Sequence, residues 1–88
     1  MVSQKVKIIN PTGLHLRPAG IFCQEAMNYI SRITFRYGLD ATANAKSVLS
    51  VLGACIKSGD EIEIVCEGED EEEALRRLVT LVENGFGE

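Results

Sequence analysis

The apolar residues of this 88-residue chain change their spacing along its length, from every second residue to every third or fourth and back again. That switching constrains the fold more than any other feature. In residues 2–9, Val2, Val6 and Ile8 can face a core while Lys5 and Lys7 face water, the period of a half-buried strand. Asn10-Pro11-Thr12-Gly13 ends it, because proline removes a backbone donor and glycine permits a tight turn. From Arg17 to Ile30 the spacing becomes Ala19, Phe22/Cys23, Ala26, Ile30, one face of a helix. Arg32 to Tyr37 returns to strict alternation with Ile33, Phe35 and Tyr37 inward, and Gly38-Leu39-Asp40 turns into a short strand near Ala41 to Asn44. A short helix within 47–56 ends at Gly53, and Lys57-Ser58-Gly59-Asp60 leads into a fourth strand, Glu61 to Glu67. After Gly68 a last helix carries the stripe Leu75, Leu78, Val79, Val82 and stops at Asn84-Gly85.

The order β-α-β-β-α-β-α, with every strand alternating, predicts an α+β fold: an antiparallel sheet with helices on one face and water on the other, an open-faced sandwich. The length allows one domain, 1–88, and too little chain for two. The open face would show Lys5 and Lys7 on the first strand, Arg32 and Arg36 on the second, and Glu61, Glu63 and Glu67 on the fourth. Cross-strand charge pairing places the acidic strand between the two basic ones.

Charge and cysteine usage narrow the function classes. Residues 1–44 carry five Lys/Arg and two Asp/Glu, giving +3, and residues 45–88 carry four and eleven, giving −7, so the formal net charge of −4 hides a marked asymmetry. There is no tryptophan and no basic patch interleaved with aromatics, which argues against a nucleic-acid partner. No apolar run approaches the roughly 20 residues of a membrane helix. The N-terminal residues lack the pattern of a signal peptide, so a cytosolic location is expected. Cys23, Cys55 and Cys66 are odd in number and widely spaced, which reads as reduced, buried, small apolar side chains. The acidic run Glu69-Asp70-Glu71-Glu72-Glu73 lacks the spaced loop of a calcium site; acids there suit the first turn of a helix, and no metal or cofactor is expected.

His15 is the single histidine, in Gly13-Leu14-His15-Leu16-Arg17-Pro18. It stands where a loop becomes a helix, and Pro18 fits a first turn because its missing N–H would have no intrahelical partner there. Free N–H groups and the positive dipole end at a helix start favour an anion, and Arg17 adds a fixed cation with planar donors. A histidine that carries a phosphoryl group needs these features together. No Ser-His-Asp or Cys-His arrangement competes for this residue.

Gly13-Leu14-His15-Leu16-Arg17-Pro18-Ala19, Asn44-Ala45-Lys46-Ser47-Val48-Leu49-Ser50-Val51-Leu52 and the closing Gly85-Phe86-Gly87-Glu88 occur in an order and spacing that resembles HPr across essentially the whole chain. HPr is the histidine-containing phosphocarrier family of the phosphoenolpyruvate-dependent sugar phosphotransferase system. The resemblance implies an open-faced sandwich with three helices and strand order 1-4-2-3, in agreement with the charge argument. It implies a carrier in bacterial sugar transport rather than an enzyme with its own substrate pocket. His15 would accept phosphate on Nδ1 from phospho-Enzyme I and pass it to a sugar-specific Enzyme IIA, with Arg17 stabilising the group in transit.

Ser47 matches the family's regulatory serine, and it equally suits the N-cap of the short second helix. The resemblance implies phosphorylation there by an HPr kinase/phosphorylase and a role as corepressor with a catabolite control protein. Leu16, Gly20, Gln24 and Met27 recur at i+3 or i+4, away from Ala19, Cys23 and Ala26, as a stripe running from His15. Val48, Leu49 and Leu52 extend it as candidate docking residues, with plain core as the competing reading for Val48 and Leu52. The alternative function is an HPr-like regulatory binding module acting mainly through Ser47. Retention of His15 and Arg17 favours the carrier. Leu16 and Ser50 depart from the family's common Ala and Gly, and a monomer is expected.

Overall fold

A computed structural model describes residues Met1–Glu88. The alternating segments form β1 (Val2–Lys7), β2 (Arg32–Tyr37), β3 (Ala41–Asn44) and β4 (Glu61–Glu67); the helical ones form α1 (Leu16–Ala26), α2 (Val48–Gly53) and α3 (Glu71–Glu83), followed by a 3₁₀ turn, Gly85–Gly87. The strands make one antiparallel sheet in the order β1-β4-β2-β3, the open-faced α+β sandwich with three helices that the sequence predicts. Register places Lys5 and Arg36 opposite Glu63, Lys7 opposite Glu61 and Arg32 opposite Glu67. Only Arg36 Nη1 and Glu63 Oε1 approach as an ion pair, at 3.7 Å and well exposed, so these charges select neighbours more than they hold them. The holding force is burial: Ile62, Ile64 and Cys66 on β4 and Ile33 and Phe35 on β2 are closed off under the helices. No helix is long and apolar enough to cross a membrane.

Four details differ from expectation. The first strand stops at Lys7, although Ile8 still points inward, because Ile8 O accepts from Gly59 N–H and Ile8 N–H donates to Asp60 O in the loop before β4. The first helix ends at Ala26 rather than Ile30. Asn28 and Tyr29 take tightened i−3 bonds, while the Ile30 amide is captured by the Asp70 carboxylate at 3.0 Å, leaving Ile30 exposed and Tyr29 in the core. In the last helix Ala74 is buried where Leu75 is only partly so. Of the cysteines only Cys66 is buried, and burial pushes its thiol up to about 11; Cys23 is half-buried and Cys55 exposed. Cys55 follows α2 at φ 54°, a left-handed position that turns its side chain out of the helix packing.

Asp70 ties three elements together. Its carboxylate accepts from Ser31 Oγ, Ile30 N–H and Ser31 N–H, so the end of the α1–β2 connection is bound to the start of α3. The Ser31 hydroxyl first, then the two amides, hold its pKa below the ordinary carboxylate range. A native pKa lower than the unfolded one contributes stability above the unfolded value, about pH 4, and loses it as pH falls through the native value. Asp70→Ala is therefore expected to have a lower urea midpoint than wild type at neutral pH. The gap should narrow as pH drops below about 4, measured by parallel urea titrations across pH.

Candidate functional site

His15 occupies the N-cap of α1 with extended backbone, φ −72° and ψ −174°. Its carbonyl accepts the first intrahelical bond from Ala19 N–H at 2.8 Å, but its side chain makes no capping bond and is exposed. The N–H groups of Leu16 and Arg17 lie ahead of that first bond, and buried Pro18 contributes none. The imidazole, two backbone donors and the exposed Arg17 side chain thus share one helix start.

The loop that delivers His15 is built by close backbone approach. Leu14 N–H donates to Ile56 O at 3.0 Å and Gly13 N–H to Asn10 O at 3.1 Å. Gly13 has φ +65°, and a Cβ there would lie 2.5 Å from Ile56 O. Asn10, 2% exposed, donates from Nδ2 to Gly13 O at 2.7 Å, to Thr12 Oγ1 at 3.3 Å and to Glu88 Oε1 at 3.1 Å. Sequence reasoning reads Asn10-Pro11-Thr12-Gly13 only as a turn and assigns nothing to Asn10 or Thr12; their partner in space is 76 to 78 residues away.

His15, Leu16 and Leu52 line an open groove of about 730 Å³ with Leu14, Cys55 and Ile56. Of the other residues on the predicted stripe, Met27 is 64% and Leu49 79% exposed, Gln24 is exposed and Gly20 half-buried. Leu16 is 71% exposed, whereas Val48 and Leu52 are partly buried and pack against the core, so both readings of these two describe part of each side chain. A Cβ at Gly20 would meet nothing within 4 Å, so packing gives no reason for glycine there.

Ser47 is the N-cap of α2, its Oγ accepting from Ser50 N–H at 3.2 Å. The Ser50 hydroxyl accepts from Asn44 N–H at 2.9 Å, and Asn44 Oδ1 from Lys46 N–H at 2.9 Å. Lys46 Nζ donates to Tyr29 O at 2.6 Å, fastening this loop to the connection between α1 and β2. The Tyr29 hydroxyl donates to Glu25 at 2.8 Å; burial first, then that carboxylate, push its pKa up to about 12. The acidic run serves caps: Glu71 Oε1 accepts from Gly68 N–H at 3.0 Å, as Asp70 does from residues 30 and 31.

The chain matches the family model described as the PTS HPr component phosphorylation site over residues 2–84. It is 39% identical over 83 residues to the HPr-like protein Crh of Bacillus subtilis, covering 94% of this chain and 96% of Crh. It is 38% identical over 82 residues to the phosphocarrier protein HPr of Lysinibacillus sphaericus, covering 93% and 92%. A crystal structure of HPr from Thermoanaerobacter tengcongensis, 39% identical, superposes with TM-score 0.96 over 100% of this chain and 98% of that one. A structure of the same relative described as a dimer superposes at 0.79 over the whole of both chains.

Two substitutions separate the demands on the site's backbone. Gly13→Ala is expected to cost at least about 1–2 kcal/mol, from its left-handed φ and the collision with the Ile56 carbonyl. Gly20→Ala should instead stabilise by about 1 kcal/mol, because it removes glycine's entropy from an open helix position. Denaturant midpoints of the two variants check both signs.

Proposed function

This chain belongs to the HPr family of phosphotransferase-system phosphocarriers, which carry phosphoryl groups and are not enzymes in their own right, and from that membership we propose that His15 is its phosphorylation site. The reading is carried by one observation: His15 caps a helix without spending its side chain on the cap, so the ring stands free before the Leu16 and Arg17 donors. In transfer, the lone pair of His15 Nδ1 forms a bond to phosphorus. The bond from phosphorus to phospho-Enzyme I breaks, and its electron pair stays with the donor. The same exchange in reverse sense delivers the group to Enzyme IIA for sugar uptake. The Arg17 guanidinium and the two backbone N–H groups face the charge gathered on the phosphoryl oxygens.

Docking in this reading uses Leu16, Gly20, Gln24 and Met27 on α1 with Val48, Leu49 and Leu52 on α2, a partly apolar surface suited to several transient partners. The protein acts in the bacterial cytoplasm as a monomer. The test is incubation with phosphoenolpyruvate and catalytic Enzyme I. Wild type should gain one acid-labile phosphate by mass, His15→Ala none, and Arg17→Ala should transfer about 10- to 100-fold more slowly. Absence of acid-labile phosphate on wild type would sink the reading, and a gel-filtration mass of two chains would correct the monomer.

A second reading is favoured by the similarity to Crh, an HPr-like protein. Here Ser47 is modified by an HPr kinase/phosphorylase, and the product serves a catabolite control protein in carbon catabolite repression. A phosphate of about −2 charge on Ser47 would take over the Ser50 N–H now bonded to Oγ and place negative charge beside the docking helices. With ATP and the kinase, Ser47→Ala should take no phosphate and should also lose about 1 kcal/mol of stability as a missing N-cap. Phosphate persisting on that variant would assign the modification elsewhere.

A further inference from the structure

Asn10, Pro11, Thr12 and Gly13 close as a β-turn, with Gly13 N–H donating to Asn10 O at 3.1 Å. Asparagine first, proline second and glycine fourth suit such a turn. The Asn10 side chain then closes it a second time, because Nδ2 donates to Gly13 O at 2.7 Å. One residue thus holds both polar groups of Gly13. The link to the next residue is gripped from the opposite side as well, since Leu14 N–H donates to Ile56 O at 3.0 Å. The peptide joining Gly13 to Leu14 therefore has its carbonyl fixed by Asn10 and its N–H fixed by Ile56, and His15 is the next residue along.

The Asn10 amide is arranged for donation alone. The residue is 2% exposed, and no protein donor reaches its buried Oδ1, which is a cost to folding rather than a gain. Reversing the amide would bring no relief, because the Gly13 carbonyl and the Glu88 carboxylate, acceptors at 2.7 and 3.1 Å, have no proton to give. The closing turn covers the position: a Cβ at Gly85 would fall 3.8 Å from Asn10 Cβ. Gly13 is itself buried, so removing the amide would leave its carbonyl without a donor. What the amide holds is also the most easily turned part of the loop, since Gly13 is left-handed at φ 65° and glycine reorients its peptide planes at little cost.

We propose that Asn10 is a positioning residue for phosphoryl transfer: by gripping both polar groups of Gly13 it fixes the Gly13-Leu14 peptide, and with it the direction in which His15 leaves the loop. This rests on His15 being the carrier residue. Asn10→Ala removes the side-chain donor. Asn10→Asp keeps the shape but sets an acceptor against the Gly13 carbonyl, so it separates donation from packing.

With phosphoenolpyruvate and catalytic Enzyme I, both variants should lose about 10-fold or more in maximal turnover as acceptors. Their KM should stay within about twofold of wild type, because the stripe from Leu16 to Leu49 is untouched. Rates are read where circular dichroism shows every variant folded, and Asn10→Ala decides alone if Asn10→Asp does not fold. Asp70→Ala, altered beyond the far end of α1, serves as the control for lost stability and should turn over like wild type. In the unphosphorylated protein, ¹⁵N relaxation should show the Leu14 and His15 amides falling from an order parameter of about 0.85 toward about 0.6 in Asn10→Ala, with β4 unchanged. Turnover of Asn10→Ala within twofold of wild type, a loss confined to KM, a folded Asn10→Asp that matches wild type, or an equal loss in Asp70→Ala overturns the proposal. If Enzyme I leaves wild-type His15 unmodified, the carrier reading fails, while the order parameters still decide whether Asn10 fixes the loop.

Discussion

Phe22 is the contact on which the rest of the arrangement depends. Fully buried in the middle of α1, it meets Phe35 of β2 edge-on, at 5.9 Å and 83°, and Phe86 of the closing turn at 6.3 Å and 71°. Such edge-to-face pairs prefer a narrow range of geometries beyond simple burial. One side chain thereby sets how the helix lies on the sheet and how the last residues return to the helix. The helix that His15 caps and the turn that precedes Glu88 are thus both anchored on Phe22. The exposed side chains of the site are held by a core of 22 buried residues.

The site itself is mostly backbone. Pro18 removes one donor from the helix start, the unused side chain of His15 leaves the others free, and Gly13 lets the loop press against the Ile56 carbonyl. These features present the His15 imidazole without enclosing it. The groove beside His15 is open, and its walls at Leu16 and Leu52 belong to two helices packed side by side. For a member of a phosphocarrier family such a surface serves better than a pocket, because each partner can bring its own excluded volume and charge.

Much of this was legible before any coordinates. The two spacings of apolar residues located all four strands and all three helices, since side chains on a pleated strand and on a helix repeat with different periods and one face of each must be buried. The charged residues of the open face indicated which strands are neighbours, because Glu63 sits opposite both Lys5 and Arg36. His15 and Arg17 stood out because Pro18, three residues after the lone histidine, fits the first turn of a helix, and Ser47 because serine is a preferred cap. What escaped was set by residues far apart in the chain. Ile30 continued the helical spacing, but Asp70 took its amide; Cys55 read as a core residue, but it follows the end of α2 in a left-handed conformation that its type does not announce.

The sequence by itself therefore determined the elements, their order and a lone histidine with a neighbouring cation at a helix start, because periodicity and helix-start chemistry are local properties. Only the tertiary structure decided where the helices stop, which apolar side chains remain on the surface, and that Asn10 and Thr12 hold Glu88 beside the His15 loop. Those outcomes depend on donors and acceptors meeting across 40 to 78 residues of chain, and no local pattern encodes such a meeting until the core has closed.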